Sequence, residues 1–177
     1  MKSEPIHSFF ACLVSCGGQW FGLGVLALAP FPALAITDCT IGATVAAFGN
    51  YDGTQNDTGA STISGSCSRG NNPDPDINSP IISLSAGVSG GYASRQMANG
   101  TNRLNYNLFI DVNRTTVWGD GIGSTSTVAA LNLLGNGRFL NPNQTRNFSF
   151  TAYGRTPASQ SVASGSYSDS ITITLTF

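Results

Sequence analysis

Ile171-Thr172-Ile173-Thr174-Leu175-Thr176-Phe177 is the stretch that decides the fold class. Apolar and hydroxyl side chains alternate through it with a period of two. That pattern predicts a strand with one buried face and one wet face. No later segment offers itself as a partner for the outer edge of this strand. A flat strand left at a sheet edge is a pairing hazard unless something covers it, so the reading expects a covering strand from outside the chain.

Upstream, the same kind of signal recurs. Phe148, Phe150 and Ala152 alternate into Tyr153-Gly154-Arg155, and a loop rich in Pro, Ser and Ala leads on to Tyr167. Asn99-Gly100, the strongest short hairpin signal in the chain, joins Ser94–Ala98 to Arg103–Asp111, where Leu104, Tyr106, Leu108 and Ile110 share a face. Val117-Trp118 precedes the turn Gly119-Asp120-Gly121. Ile81 to Ser85 reads as a strand, and so do Cys39 to Phe48 and Ala60 to Cys67. Asp52-Gly53 and Asp57-Thr58-Gly59 mark turns. Thr125 to Leu134 fits helix or strand, and its setting among short strands favours strand. Short strands with regular turn signals imply an all-β sandwich or barrel.

The N-terminal segment supplies the compartment. Trp20 to Ala35 (WFGLGVLALAPFPALA) is apolar, follows a segment carrying Lys2, and closes on Ala33-Leu34-Ala35, an A-x-A cleavage pattern. Residues 1–35 are therefore read as a secretory signal peptide. The stretch is short and Pro-interrupted for a membrane span, which needs about 20 apolar residues. Leu13-Val14-Ser15-Cys16 also looks like a lipoprotein processing box. His7 and Ser8, however, leave the segment ahead of it a weak apolar core.

A cut after Ala35 removes Cys12, Cys16, His7, Lys2 and Glu4. Residues 36–177 then hold only Cys39 and Cys67, and an even pair in an exported protein reads as one disulfide. Two thiolates without histidine cannot complete a zinc site, and no metal or cofactor is expected. Seven arginines and eight aspartates remain, with no lysine, glutamate or histidine. This near-neutral balance contains no basic stripe for nucleic acid and no charge block for a polyanion.

Enzyme chemistry finds little to stand on. Gly87-Val88-Ser89-Gly90-Gly91 matches G-x-S-x-G, but that elbow needs a strand–turn–helix and a histidine base. Asp74 and Asp76 in a Pro/Asn loop read as turn residues rather than a glycosidase pair. Asp52 with Asp57 lacks the spacing of a calcium loop. Arg95 and Arg103 flank the hairpin, while Trp118 and the tyrosines could form a sugar-binding face, with core or rim packing the default for Trp118. Phe139 and Leu140, an apolar pair within the polar loop Gly135 to Asn147, could serve as an exposed contact or fold under into the sandwich core, the favoured alternative.

Several blocks in order carry a resemblance. They are Phe48-Gly49-Asn50-Tyr51, Tyr92-Ala93-Ser94-Arg95-Gln96-Met97 and Leu104-Asn105-Tyr106-Asn107-Leu108-Phe109, followed by Trp118-Gly119-Asp120-Gly121, Tyr153-Gly154-Arg155 and Gly165-Ser166-Tyr167-Ser168-Asp169-Ser170. Residues 36–177 resemble the spore coat protein U domain family, which includes subunits of archaic chaperone–usher pili. The resemblance implies an immunoglobulin-like β-sandwich lacking its last strand. A donor strand from a periplasmic chaperone, and then from the neighbouring subunit, completes it. By position, Ile171, Ile173, Leu175 and Phe177 would line the groove, and Cys39–Cys67 would be the family's disulfide.

The implied partners are that chaperone, an outer-membrane usher and other subunits, with export through the periplasm to the cell surface. The expected role is a structural or adhesive subunit for surface attachment and biofilm formation. A donor strand needs about 5–6 residues plus a linker, whereas only Ile36, Thr37 and Asp38 would precede Cys39 after cleavage. The subunit is thus expected to accept a strand without giving one, as a distal tip would. A spore or cell-coat protein and a secreted carbohydrate-binding module are the alternatives.

Overall fold

The computed structural model describes residues 5–13, 37–71 and 79–176. Trp20 to Ala35, Cys16, Asp74, Asp76 and Phe177 lie outside the described residues. In chain order the strands are β1 (Pro5–Leu13), β2 (Thr37–Ala43), β3 (Ala46–Asn50), β4 (Asp57–Arg69), β5 (Ile81–Leu84), β6 (Arg95–Asn99), β7 (Asn102–Phe109), β8 (Val117–Trp118), β9 (Thr125–Ser126), β10 (Val128–Ala129), β11 (Thr145–Thr156) and β12 (Ser170–Thr176). A single 3-10 turn, Gly87–Ser89, is the only helical element among the described residues.

The strands form two sheets. One runs β10-β5-β12-β1-β3, and the other runs β2-β4-β11-β7-β8-β9 with β6 also paired to β7. Alternation along each strand explains how they face each other. Ile171, Ile173 and Leu175 of β12 are buried, as are Ile82 and Leu84 of β5, Leu104, Tyr106 and Leu108 of β7, Ile63 and Cys67 of β4, and Phe148 and Ala152 of β11. Each large apolar side chain so buried contributes about 1.5–3 kcal/mol. Phe48 of β3 meets Tyr106 of β7 edge-on across the sandwich, with ring centroids 5.6 Å apart.

Three sequence readings change. Cys39 to Phe48 is two strands: β2 pairs with β4 in one sheet, and β3 belongs to the other. The crossing falls at Thr44-Val45, after Gly42-Ala43 has left β2 without an apolar anchor; burial resumes at Ala46 and Phe48. Thr125 to Leu134 is neither one strand nor a helix. β9 pairs with β8, β10 pairs with β5 in the opposite sheet, and Ala130 N then donates to Pro80 O at 2.7 Å.

The third change concerns β12, which is not an edge. β5 lies along one side of it and β1 along the other. The covering strand comes from the chain's own Pro5–Leu13, inside the segment that the sequence reads as leader.

Candidate functional site: a slot one strand wide

Remove β1 from its sheet, and β12 and β3 become the two walls of a slot one strand wide. β1 runs parallel to β12 with Phe9, Phe10, Ala11, Cys12 and Leu13 opposite Ser170, Ile171, Thr172, Ile173 and Thr174. It runs antiparallel to β3 with Pro5, Ile6, His7 and Ser8 opposite Asn50, Gly49, Ala47 and Ala46, a register that skips Phe48. Its first half therefore bonds to one wall and its second half to the other. A strand that satisfies both walls needs about the nine residues that β1 has.

The floor of the slot is apolar. Ile171 and Ile173 are fully buried, Leu175 is 1% exposed, and Ala46 and Phe48 belong to the same core. On its far side β12 is held by β5, with Ile173 opposite Leu84 and Leu175 opposite Ile82. Ser85 continues this pairing: its N–H donates to Thr172 O at 2.9 Å and its Oγ accepts from Thr172 N at 2.9 Å.

A buried polar network fixes where β12 begins. Asp169 Oδ1 accepts from the N–H groups of Ser170 (2.7 Å) and Val88 (2.9 Å), while Oδ2 accepts from Tyr106 Oη (2.7 Å). Gly87 sits against this carboxylate with φ 70°, and a Cβ there would collide with Asp169. Only glycine meets both demands. Arg95, 0% exposed, donates to Ser85 O through Nε (3.0 Å) and Nη2 (2.8 Å), to Trp118 O (2.7 Å) and to Asn107 Oδ1 (2.7 Å). Burial pushes its guanidinium below its ordinary pKa. Four charge-assisted bonds compensate its desolvation.

In the second sheet, Cys39 and Cys67 are register partners with Cα atoms 4.1 Å apart, joined by a disulfide. Other residues singled out in the sequence take different places. Leu140 is 1% exposed and its carbonyl accepts from Arg69 Nη1 at 3.0 Å, while Phe139 packs half-buried against the core. The pair is not an exposed contact, because the loop around it folds under the sandwich.

Trp118 is fully buried, with Nε1 donating to Ile82 O at 3.1 Å. Trp118 therefore belongs to the core and faces no sugar, and Arg95 is buried beside it. Arg103, by contrast, is exposed and donates to Gly100 O and Asn102 O. The Ser89 hydroxyl lies 3.0 Å from Ala86 O and 3.1 Å from Gly91 O, closing its own turn. Asp52 accepts from Thr54 N and Oγ1, which makes that loop a capped turn.

Sequence reasoning missed β1, the Tyr106–Asp169 bond and the buried Arg95 with its bonds to Ser85, Trp118 and Asn107. The one available signal was the lone carboxylate in Ser168-Asp169-Ser170, placed directly ahead of the alternating run.

Comparison with known proteins adds the following. The family described as Spore Coat Protein U domain matches residues 25–174. No curated protein sequence matches the chain. Among solved structures, the chain is similar to one from the CsuC–CsuE chaperone–tip adhesion subunit pre-assembly complex of the archaic chaperone-usher Csu pili of Acinetobacter baumannii. Identity there is 18% and the TM-score 0.45, over 80% of this chain and 40% of that one.

Proposed function

The chain belongs to the Spore Coat Protein U domain family, and from that premise we propose that it is an exported subunit of a chaperone–usher pilus. The observation that carries this reading is the slot between β12 and β3, which is filled by a strand that belongs to neither neighbour's hairpin. In such a slot the incoming backbone gains hydrogen bonds from both walls, while its alternate side chains meet the core.

Removal of residues 1–35 on export would take β1 away. A strand from a periplasmic chaperone then occupies the slot until a neighbouring subunit's extension replaces it at the usher. Ile171, Ile173 and Leu175 form the apolar side of that joint. With three residues ahead of Cys39, the processed subunit has no strand to donate and sits at the distal tip, where it serves surface attachment and biofilm formation.

Co-expression with the cognate chaperone tests the reading. The processed chain should co-purify with it, and Ile173→Asp with Leu175→Asp should abolish co-purification, while Thr172→Ser leaves it intact. Mass spectrometry of the exported chain should place its N-terminus at Ile36. A processed chain that is monomeric and stable without any partner would remove the case for an acceptor slot.

A further inference from the structure

Away from the slot, the outer face of the second sheet carries two guanidinium groups set on aromatic rings. Arg155 of β11 has its Cζ 5.1 Å from the ring centroid of Phe109 of β7. Arg114, in the loop between β7 and β8, stands 6.0 Å from the ring of Tyr153. Tyr153 and Phe109 are cross-strand partners, so the four side chains form one strip.

The two arginines differ in what they have left to give. Arg114 spends Nε on Gly154 O and Nη1 on Val112 O, both at 3.0 Å. The Arg155 side chain makes no hydrogen bond or ion pair among the described residues, and all five of its guanidinium N–H donors are unspent. It borders a cleft with Ser94, Phe109, Val117 and Pro157. The Ser94 hydroxyl is likewise without a hydrogen-bond partner among the described residues.

Among the described residues no acid pairs with Arg155. Asp111 is committed to the N–H groups of Thr115 and Thr116, and Asp120 to Ile122 N and Thr125 Oγ1. A guanidinium held over a ring loses little freedom when it binds, and its fork geometry matches a carboxylate in bidentate fashion. A single cation suits a monoanion better than a phosphate dianion. The apolar edges of Val117 and Pro157 beside a free hydroxyl suit the mixed C–H and O–H surface of a pyranose ring.

We propose that this cleft binds the carboxylate of an acidic sugar, a uronic acid residue of a polysaccharide. Arg155 would make the charge-assisted pair, and Ser94 a hydroxyl contact. The site lies in the sheet that has no slot, so it does not depend on the assembly reading above.

Calorimetric titration of the exported protein, carrying whatever strand fills its slot, tests the proposal with trigalacturonic acid, its methyl ester and inorganic sulfate as probes. The acid should bind, and the ester should bind more weakly by about tenfold or more. Arg155→Gln should lose the same factor at an unchanged thermal midpoint. Arg155→Lys, which keeps the charge without the fork, should fall between. Equal binding of acid and ester would overturn the assignment. So would an unaffected Arg155→Gln variant, sulfate binding as tightly as the sugar acid, or no binding of any probe at millimolar concentration.

Discussion

Tyr106 reaches across the sandwich to Asp169, its hydroxyl donating a 2.7 Å hydrogen bond to Oδ2 between side chains that are 1% and 3% exposed. The bond joins the middle of β7 to the residue before β12, so one sheet sets where the wall of the slot begins in the other. Tyr106→Phe deletes the donor and with it this bond to the carboxylate. A hydrogen bond to a charged group is worth about 1.5–3 kcal/mol. Urea denaturation should show a loss of that size with an unchanged slope, and hydrogen exchange at Ser170 and Thr172 should quicken.

Arg95→Lys should be far more costly than its chemistry suggests. Lysine carries the charge, but it has three donors on one atom, whereas Arg95 spreads its bonds over Ser85, Asn107 and Trp118. Some carbonyl or amide oxygens are left bare in the core, and a buried charge is left under-paired. The expected loss is about 3 kcal/mol or more, read as a lowered urea midpoint.

Reduction of the Cys39–Cys67 disulfide should lower stability without changing the fold. The bridge closes a loop with a sequence separation of 28. The chain-entropy model then assigns it about 3–4 kcal/mol. Cys39→Ser with Cys67→Ser should lower the unfolding free energy measured in urea by that amount, and the wild type in reductant should converge on the same value.

Stability should fall in acid, with one aspartate acting against the trend. Asp52, Asp111 and Asp120 are held below the ordinary carboxylate value, chiefly by the backbone N–H groups of Thr54, Thr116 and Ile122. A folded-state pKa below the unfolded one contributes stability above about pH 4 that is lost as pH falls through the folded value. Asp57 has the opposite sign. Burial and then Asp52 raise its pKa, and its Oδ2 is buried with no hydrogen-bond partner. Its contribution is lost as pH rises through that raised value. Asp57→Asn should therefore raise the urea midpoint at neutral pH and leave it unchanged in acid.

The strands with a clean period of two could be read directly from the sequence: β12, the second half of β11, and β7 beyond the Asn99-Gly100 turn. Local chemistry dictates each of them. The changes of sheet at Thr44-Val45 and between Ser126 and Val128 could not be read that way, because alternation says which face is buried and not against which sheet. Arg95 and Asp169 were hidden for a related reason. Charged side chains default to solvent, and only partners supplied by distant strands make their burial tolerable. Phe139 and Leu140 were conspicuous as apolar residues in a polar loop, but whether such a loop projects or folds under is decided by Arg69 and Arg146, which hold the carbonyls of Leu140 and Phe139. β1 was masked by its setting, since a segment that looks like a leader is set aside before it is weighed as a strand.

The position of Cys39 has a mechanical consequence. β2 enters its sheet at Thr37, and the covalent link to Cys67 follows at Cys39. Tension drawn on the chain ahead of Thr37 can peel no more than Thr37 and Asp38 from β4 before it meets that bond. From there the force passes through Cys67 into β4, two residues from the end of a thirteen-residue strand that is paired from Asp57 to Ser68 with β11. Further yielding requires many rungs of the ladder to shear together instead of opening one by one. A domain wired this way resists being unravelled from its N-terminal side.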